Sequence, residues 1–293
     1  MTAVLYDIPG PKARVRNAGT GVVGVLLIVA AIGFVIYRLI VTGQFSAREW
    51  EWIQYSAIQI LLLNSLLATL AAFAVAAVLA LVSGAVLAAG RLSEHRWVSR
   101  PATVVVEFFR AIPLLVLIFI LFYGVSRSLG FNISTFWALV LGLTLYNGSV
   151  LAEIFRAGVL ALPKGQREAA YALGMRKTQV MTNVLLPQSL RAMLPTIVSQ
   201  LVVVLKDTAL GFLILYPELL YQARFLGSQG QLGSPILPVA MVVAVIYIAM
   251  CLLLSMLANY LERRTRRNPK IAALDPAGKA AAAAEALAAQ SAD

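Results

Sequence analysis

Lys206 and Asp207 stand side by side in an otherwise apolar run, Gln200-Leu-Val-Val-Val-Leu-Lys206-Asp207-Thr208-Ala-Leu. A charge at membrane depth is costly to desolvate, so it faces protein or a water-filled cavity and marks a candidate path for a polar solute. The Lys206 ammonium suits a substrate carboxylate, and the Asp207 carboxylate or the Thr208 hydroxyl suits an α-ammonium. The competing reading is a structural pair that neutralises itself or bridges two subunits. Adjacent helix residues point about 100° apart, which makes a clean mutual salt bridge awkward. Gln200, Asn147 and Tyr146 are further polar groups at similar depth, available to line the same cavity or simply to pack. Glu107 and Arg110 are spaced to meet on one helix face, and Arg110 is placed either to reach solute or to snorkel to the interface.

No catalytic constellation accompanies these residues. The sequence holds no phosphate-binding Gly-x-x-x-x-Gly-Lys-Ser/Thr loop, no His-Glu-x-x-His and no cysteine cluster. Cys251 and His95 are the chain's single cysteine and histidine, which excludes a disulfide framework and a Cys/His metal site within the chain. No cofactor is expected, and the chain is not expected to be an enzyme. Transport driven by ATP would need its hydrolysis on a partner. Two rival readings are a self-sufficient secondary transporter with Lys206 and Asp207 as an ion relay, and an integral-membrane enzyme.

Composition says what must position these groups. The chain is 60% hydrophobic and 13% charged, with a mean hydropathy of +0.84, far from the make-up of soluble domains. A helix crosses the hydrocarbon in about 20 residues, and the sequence predicts an all-α membrane protein with six such stretches: Gly21–Val41, Ile60–Gly90, Ala102–Ser126, Thr135–Val159, Ala192–Tyr216 and Ile236–Tyr260. The net charge of +11 resolves into a topology signal. Lys12, Arg14 and Arg16, then Arg91, Arg96 and Arg100, then Lys164, Arg167, Arg176, Lys177 and Arg191, and finally Arg263 to Lys270 fall on one side of this threading. The other side holds only Arg48, Arg127 and Arg224. Positive charge marks the cytoplasmic side, so a multi-pass cell-membrane protein with both termini cytoplasmic is expected, and nucleic acid is not an expected partner.

The largest loop on that side, Leu162-Pro-Lys-Gly-Gln-Arg-Glu-Ala-Ala-Tyr-Ala-Leu-Gly-Met175, has a local logic of its own. Pro163 is suited to a helix start and Gly174 to a left-handed C-cap. Ala169, Ala170 and Ala172 leave little side-chain bulk between them. A second short helix is expected from about Lys177 to Leu186, ended by Pro187. Two short helices with small exposed residues suit close approach by another protein, or an ordinary amphipathic connection.

The segment Glu168-Ala169-Ala170, three residues, Gly174, nine residues, then Val184-x-Leu186-Pro187 resembles the EAA motif of binding-protein-dependent ABC permeases, with Val184 where Ile is usual. The blocks Glu107-Phe-Phe-Arg110-Ala-Ile-Pro113, Tyr146-Asn147-Gly148-Ser149 through Glu153-Ile-Phe-Arg156-Ala-Gly158, and Lys206-Asp207-Thr208-Ala209-Leu210 resemble the polar amino-acid branch of those permeases. The opening Val4-Leu5-Tyr6-Asp7 and Gly10-Pro11-Lys12-Ala13-Arg14 are similar to its glutamate importers. The resemblance implies a five-helix permease core over 60–260, preceded by a cytoplasmic segment (1–20) and an additional helix (21–41), and followed by an alanine-rich cytoplasmic tail (261–293). It implies that Glu168, Ala169, Ala170, Gly174 and Met175 form a coupling helix seated on a separate ABC ATPase subunit. It further implies a second, homologous or identical permease subunit and an extracytoplasmic amino-acid-binding protein that delivers the substrate, which the resemblance makes glutamate, with glutamine or a basic amino acid as the alternative.

Overall fold

The computed structural model describes residues 10–266 apart from 126, 127, 129 and 131. The Val4–Asp7 block, Arg127 and the alanine-rich tail beyond residue 266 lie outside the described residues. The long helices are α1 (Pro11–Val41), α2 (Ser56–Arg91), α3 (Arg96–Ala111), α4 (Leu114–Phe119), α5 (Thr135–Leu160), α6 (Lys164–Ala172), α7 (Leu186–Asp207), α8 (Leu219–Gly227) and α9 (Ile236–Arg266), the shorter α4, α6 and α8 being connectors or half-spans.

Among the described residues, five helical stretches are long and apolar enough to cross a membrane: Pro11–Val41, Ser56–Arg91, Thr135–Leu160, Lys177–Ile214 and Ile236–Ala258. The expected third span, Ala102–Ser126, is not one straight helix. It is broken into Arg96–Ala111 and Leu114–Val125, bent by 99°. Pro113 accounts for the break, because its ring pushes the preceding residue out of the helical region, and Ile112 is extended at φ −86° and ψ 128°. The half before the break carries Arg96, Arg100, Glu107 and Arg110, charges suited to the membrane surface, while the half after it is apolar.

The expected stop at Pro187 is also corrected. Helix runs unbroken from Lys177 to Ile214, with a π segment over Val180–Leu185 immediately ahead of α7. The wider π turn shifts the hydrogen-bond register, so Pro187 falls in the first turn of α7 where its missing N–H is tolerated.

The chain divides into two units. One comprises the chain up to Ile60 together with Ala223–Val242. Its long helix α1 buries no residue. The turns over 47–54 are held by the Trp50 indole, which donates to the Gln44 carbonyl at 3.0 Å. The second unit comprises Leu61–Gln222 and the chain from Val243 onward, and α5 is its hub. In the most apolar window of α5, 61% of residues are buried, against 28% in α2 and 33% in Lys177–Ile214. Ala72 and Ala76 of α2, Ile118 of α4, Leu139 and Leu143 of α5, and Val204 of α7 form its core. Close approach of α2 to α5 depends on glycine: a Cβ on Gly84 would lie 2.8 Å from the Leu151 Cβ and 3.0 Å from the Gly148 carbonyl oxygen.

Candidate functional site

Lys206 and Asp207 close the α-helical part of the Lys177–Ile214 stretch, which continues as 3₁₀ turns over Thr208–Ile214. Lys206 is exposed and Asp207 half-buried. Among the described residues neither forms a salt bridge, with the other or with any third group. Thr208 departs from its expected place. It is fully buried and its hydroxyl donates to the Leu205 carbonyl at 2.6 Å, so it belongs to the interior and Asp207 alone remains to meet an ammonium.

The face of α7 that carries Lys206 is unusual for a membrane helix. Ala192, Thr196, Ser199, Val203 and Lys206 recur every three or four residues, hence on one side of the helix, and all are exposed. On α9 the equivalent exposed stripe is Val245, Ile248, Leu252 and Met256, the composition expected against lipid. Small and hydroxylated residues instead suit helix–helix contact or a polar lumen. At its lower end the α7 stripe borders a cavity of about 460 Å³ lined by Glu153, Ala157, Gly158, Ala192 and Thr196.

The other expected site residues divide into two groups. Gln200 and Asn147 meet: the Gln200 amide donates to the Asn147 side-chain oxygen at 2.7 Å, and the buried Asn147 amide donates to the Leu143 carbonyl at 3.1 Å. This bond pins α7 to α5 just below Lys206. Tyr146 is half-buried and packs against the core. Arg110 lies elsewhere, in an ion cluster at the loop end of the bundle. Its guanidinium is 3.9 Å from both Glu107 and Glu153.

Glu153 is the centre of that cluster, a role the sequence does not announce. One oxygen accepts from Arg91 at 2.6 Å and the other from Arg156 at 2.6 Å, while Arg91 also reaches Glu107 at 3.4 Å. Three elements are tied by one carboxylate: the end of α2, the surface helix α3, and α5. Another carboxylate the sequence does not announce is Glu218, which is fully buried. It accepts from the Leu220 and Tyr221 backbone N–H groups at 2.7 and 2.6 Å and from the Tyr247 hydroxyl at 2.8 Å. Thr69 accepts from the Leu219 N–H at 3.2 Å beside it, and the Tyr216 hydroxyl donates to the Ala68 carbonyl at 2.8 Å. Together these bonds fasten the segment after Lys206 to α2 and α9.

In the large loop, α6 spans Lys164–Ala172, with Pro163 extended immediately before it. Gly174 is left-handed at φ +78°. The Gly174 N–H donates to the Tyr171 carbonyl at 2.9 Å and the Met175 N–H to the Ala170 carbonyl at 3.2 Å, the paired bonds of a Schellman cap. Ala170 is buried against Val159, Val180 and Leu185, with Met175 packed on the same cluster. Glu168, Ala169 and Gly174 are exposed, and so is Leu173, at 83%. Lys177 forms a 2.7 Å salt bridge to Glu94 in the α2–α3 loop. The hydrogen bond and the charge of Lys177 hold the Glu94 carboxyl below its ordinary range.

A membrane-crossing helix with small and hydroxylated residues leading to an exposed ammonium, and an exposed small-residue helix in the largest loop, fit a permease. The sequence profile of the binding-protein-dependent transport system inner membrane component family matches residues 80–267. The chain belongs to that family. The permease is 40% identical over 230 residues to the glutamate transport system permease protein GluD of Corynebacterium glutamicum, covering 76% of this chain and 82% of that one. It is 34% identical over 201 residues to the probable glutamine ABC transporter permease protein GlnP of Bacillus subtilis, covering 69% and 92%. Among solved structures, an amino acid ABC transporter with histidines matches with a TM-score of 0.66 at 30% identity, covering 71% of this chain and 95% of that one. The chain is therefore a multi-pass membrane permease of the kind found in amino acid ABC importers, working with ATPase subunits and a binding protein. ATP hydrolysis lies on the separate ATPase subunit, and the secondary-transporter and membrane-enzyme readings fall away.

Proposed function

We propose that this permease imports glutamate, taking it from an extracytoplasmic binding protein and passing it along the Ala192–Lys206 face of α7. The observation that carries the reading is Lys206: an exposed ammonium without a salt-bridge partner among the described residues, at the end of a polar stripe on a membrane-crossing helix. About 15 residues separate it from Arg191, roughly 22 Å of helix. An ammonium at that depth is stable facing water or an anionic ligand rather than lipid. Lys206 meets a substrate carboxylate and Asp207 the α-ammonium, while Gln200 and Asn147 hold α7 in place behind them. The 40% identity to a glutamate permease supports the choice of an acidic amino acid.

The stripe also needs a facing surface, which a second permease subunit, identical or homologous, supplies. The positive loops face the cytoplasm together with both termini, and α6 seats on the ATPase through Ala169, Ala172 and Leu173. Competition of labelled glutamate uptake by acidic, amide and basic amino acids tests the substrate. Acidic amino acids should compete best; stronger competition by glutamine or arginine would reassign it.

A further inference from the structure

Beside the small-residue face of α6 lies a cavity of about 430 Å³. Its floor is apolar, formed by Leu92, Val159, Val180 and Leu185, and its rim carries Lys164, Arg167, Tyr171, Lys177 and Glu94. Lys164, Arg167 and Tyr171 are spaced i, i+3 and i+7, so they form one stripe along α6. Ala170, roughly a quarter turn round the helix from this stripe, is buried against Val159, Val180 and Leu185 of the same floor. The rim therefore holds three cations and one carboxylate, and that carboxylate, Glu94, is already occupied by Lys177 at 2.7 Å. Lys164 and Arg167 are both exposed and have no salt-bridge partner among the described residues. Glu168, Ala169 and Ala172 continue round the helix directly from this rim, so the cavity mouth is continuous with the face on which α6 would be covered.

We propose that this cavity is a receptor for an acidic side chain of the ATPase subunit, gripped by Lys164 and Arg167 while its aliphatic stem lies on the apolar floor. The proposal rests on the reading that α6 seats on that subunit, and adds the polar half of the contact. Small residues allow close approach but carry little orientation. A carboxylate held by a guanidinium fork has a direction, so the cationic rim would set the register in which α6 sits. The Lys177–Glu94 bridge then ties the same seat to the loop joining α2 and α3. Movement of the ATPase would thus be felt both by Lys177–Ile214 and by the surface half of the broken span.

The test uses the full-length permease in lipid nanodiscs and the purified ATPase subunit that drives uptake with it. Binding of the wild type should weaken as salt rises from about 50 to 500 mM, since charges at a solvent-accessible rim are screened over that range. Arg167→Glu and Lys164→Glu should each weaken binding about tenfold or more and flatten the salt dependence, because reversed rim charges repel the partner. Charge reversal of one acidic residue on the ATPase should restore binding to Arg167→Glu alone. Ala169→Trp blocks the small-residue face and serves as the separate arm. Should Ala169→Trp abolish binding while both rim variants bind normally at all salts, the cavity proposal is overturned and the seating of α6 stands. Unaltered binding by Ala169→Trp would overturn the seating itself. If the rim variants bind the ATPase normally but lose a stimulation of activity seen with phosphatidylglycerol in the discs, the cavity takes an anionic lipid and the proposal is likewise overturned.

Discussion

A charge inside an apolar run has few uses, and the Lys206 side chain is exposed with no salt bridge among the described residues. Lys206→Met keeps the stem and deletes the charge, so glutamate uptake should drop sharply with expression and ATPase binding unchanged. Lys206→Arg should be tolerated in part, since a planar fork replaces a compact ammonium. Thr208 could not be sorted from Asp207 by sequence, because which way a hydroxyl turns is decided by a carbonyl three residues back. Glu153 was in view within its block but not its partners: Arg91 lies 62 residues away, and no local pattern encodes such a meeting. Glu218 hides for the same reason, bonded to Tyr247 across 29 residues. Tyr247→Phe should lower the unfolding midpoint in detergent, since removing one donor from a buried carboxylate costs about 1–3 kcal/mol. An unchanged midpoint would mean that the backbone N–H groups of Leu220 and Tyr221 suffice.

The limits of α6 were legible in the sequence, whereas the course of the helix through Pro187 and the bend at Pro113 were not. Pro163 and Gly174 bracket α6 because each has a conformational requirement that a helix end satisfies. Gly174→Val places a branched side chain at φ +78°, at a cost of about 1–2 kcal/mol. It should fray the cap and uncouple ATP hydrolysis from uptake while membrane insertion stays normal. Ala170→Trp should do so more severely, because Ala170 is buried where the indole has no room. Normal coupled transport in both variants would separate α6 from energy transfer. By contrast, the continuation of helix through Pro187 depends on π turns over Val180–Leu185, a shift in hydrogen bonding with no residue signature. The bend at Pro113 has a signature, but hydropathy averages it away: an amphipathic surface helix followed by an apolar half-span reads as one long apolar stretch.

For the whole molecule, the membrane spans follow from hydropathy and charge, and their division into a five-helix core and an additional helix α1 follows from the family resemblance. Helix α1 buries no residue, so deleting the chain up to Thr42 should lower insertion more than it changes substrate preference, as judged by membrane yield and competition profile. An altered preference at normal yield would place α1 on the path. The central claim is that a separate ATPase drives an acidic amino acid past Lys206, and one experiment reaches it directly. Proteoliposomes holding the permease and its ATPase subunit, supplied with the binding protein on one side and ATP on the other, should accumulate labelled glutamate only when both are present. With Lys206→Met in place of wild type, accumulation should fall to near background while the complex still hydrolyses ATP. Wild-type accumulation by the Lys206→Met permease would contradict the account, making Lys206 a structural charge and moving the search for the path toward Arg110 and Gln200.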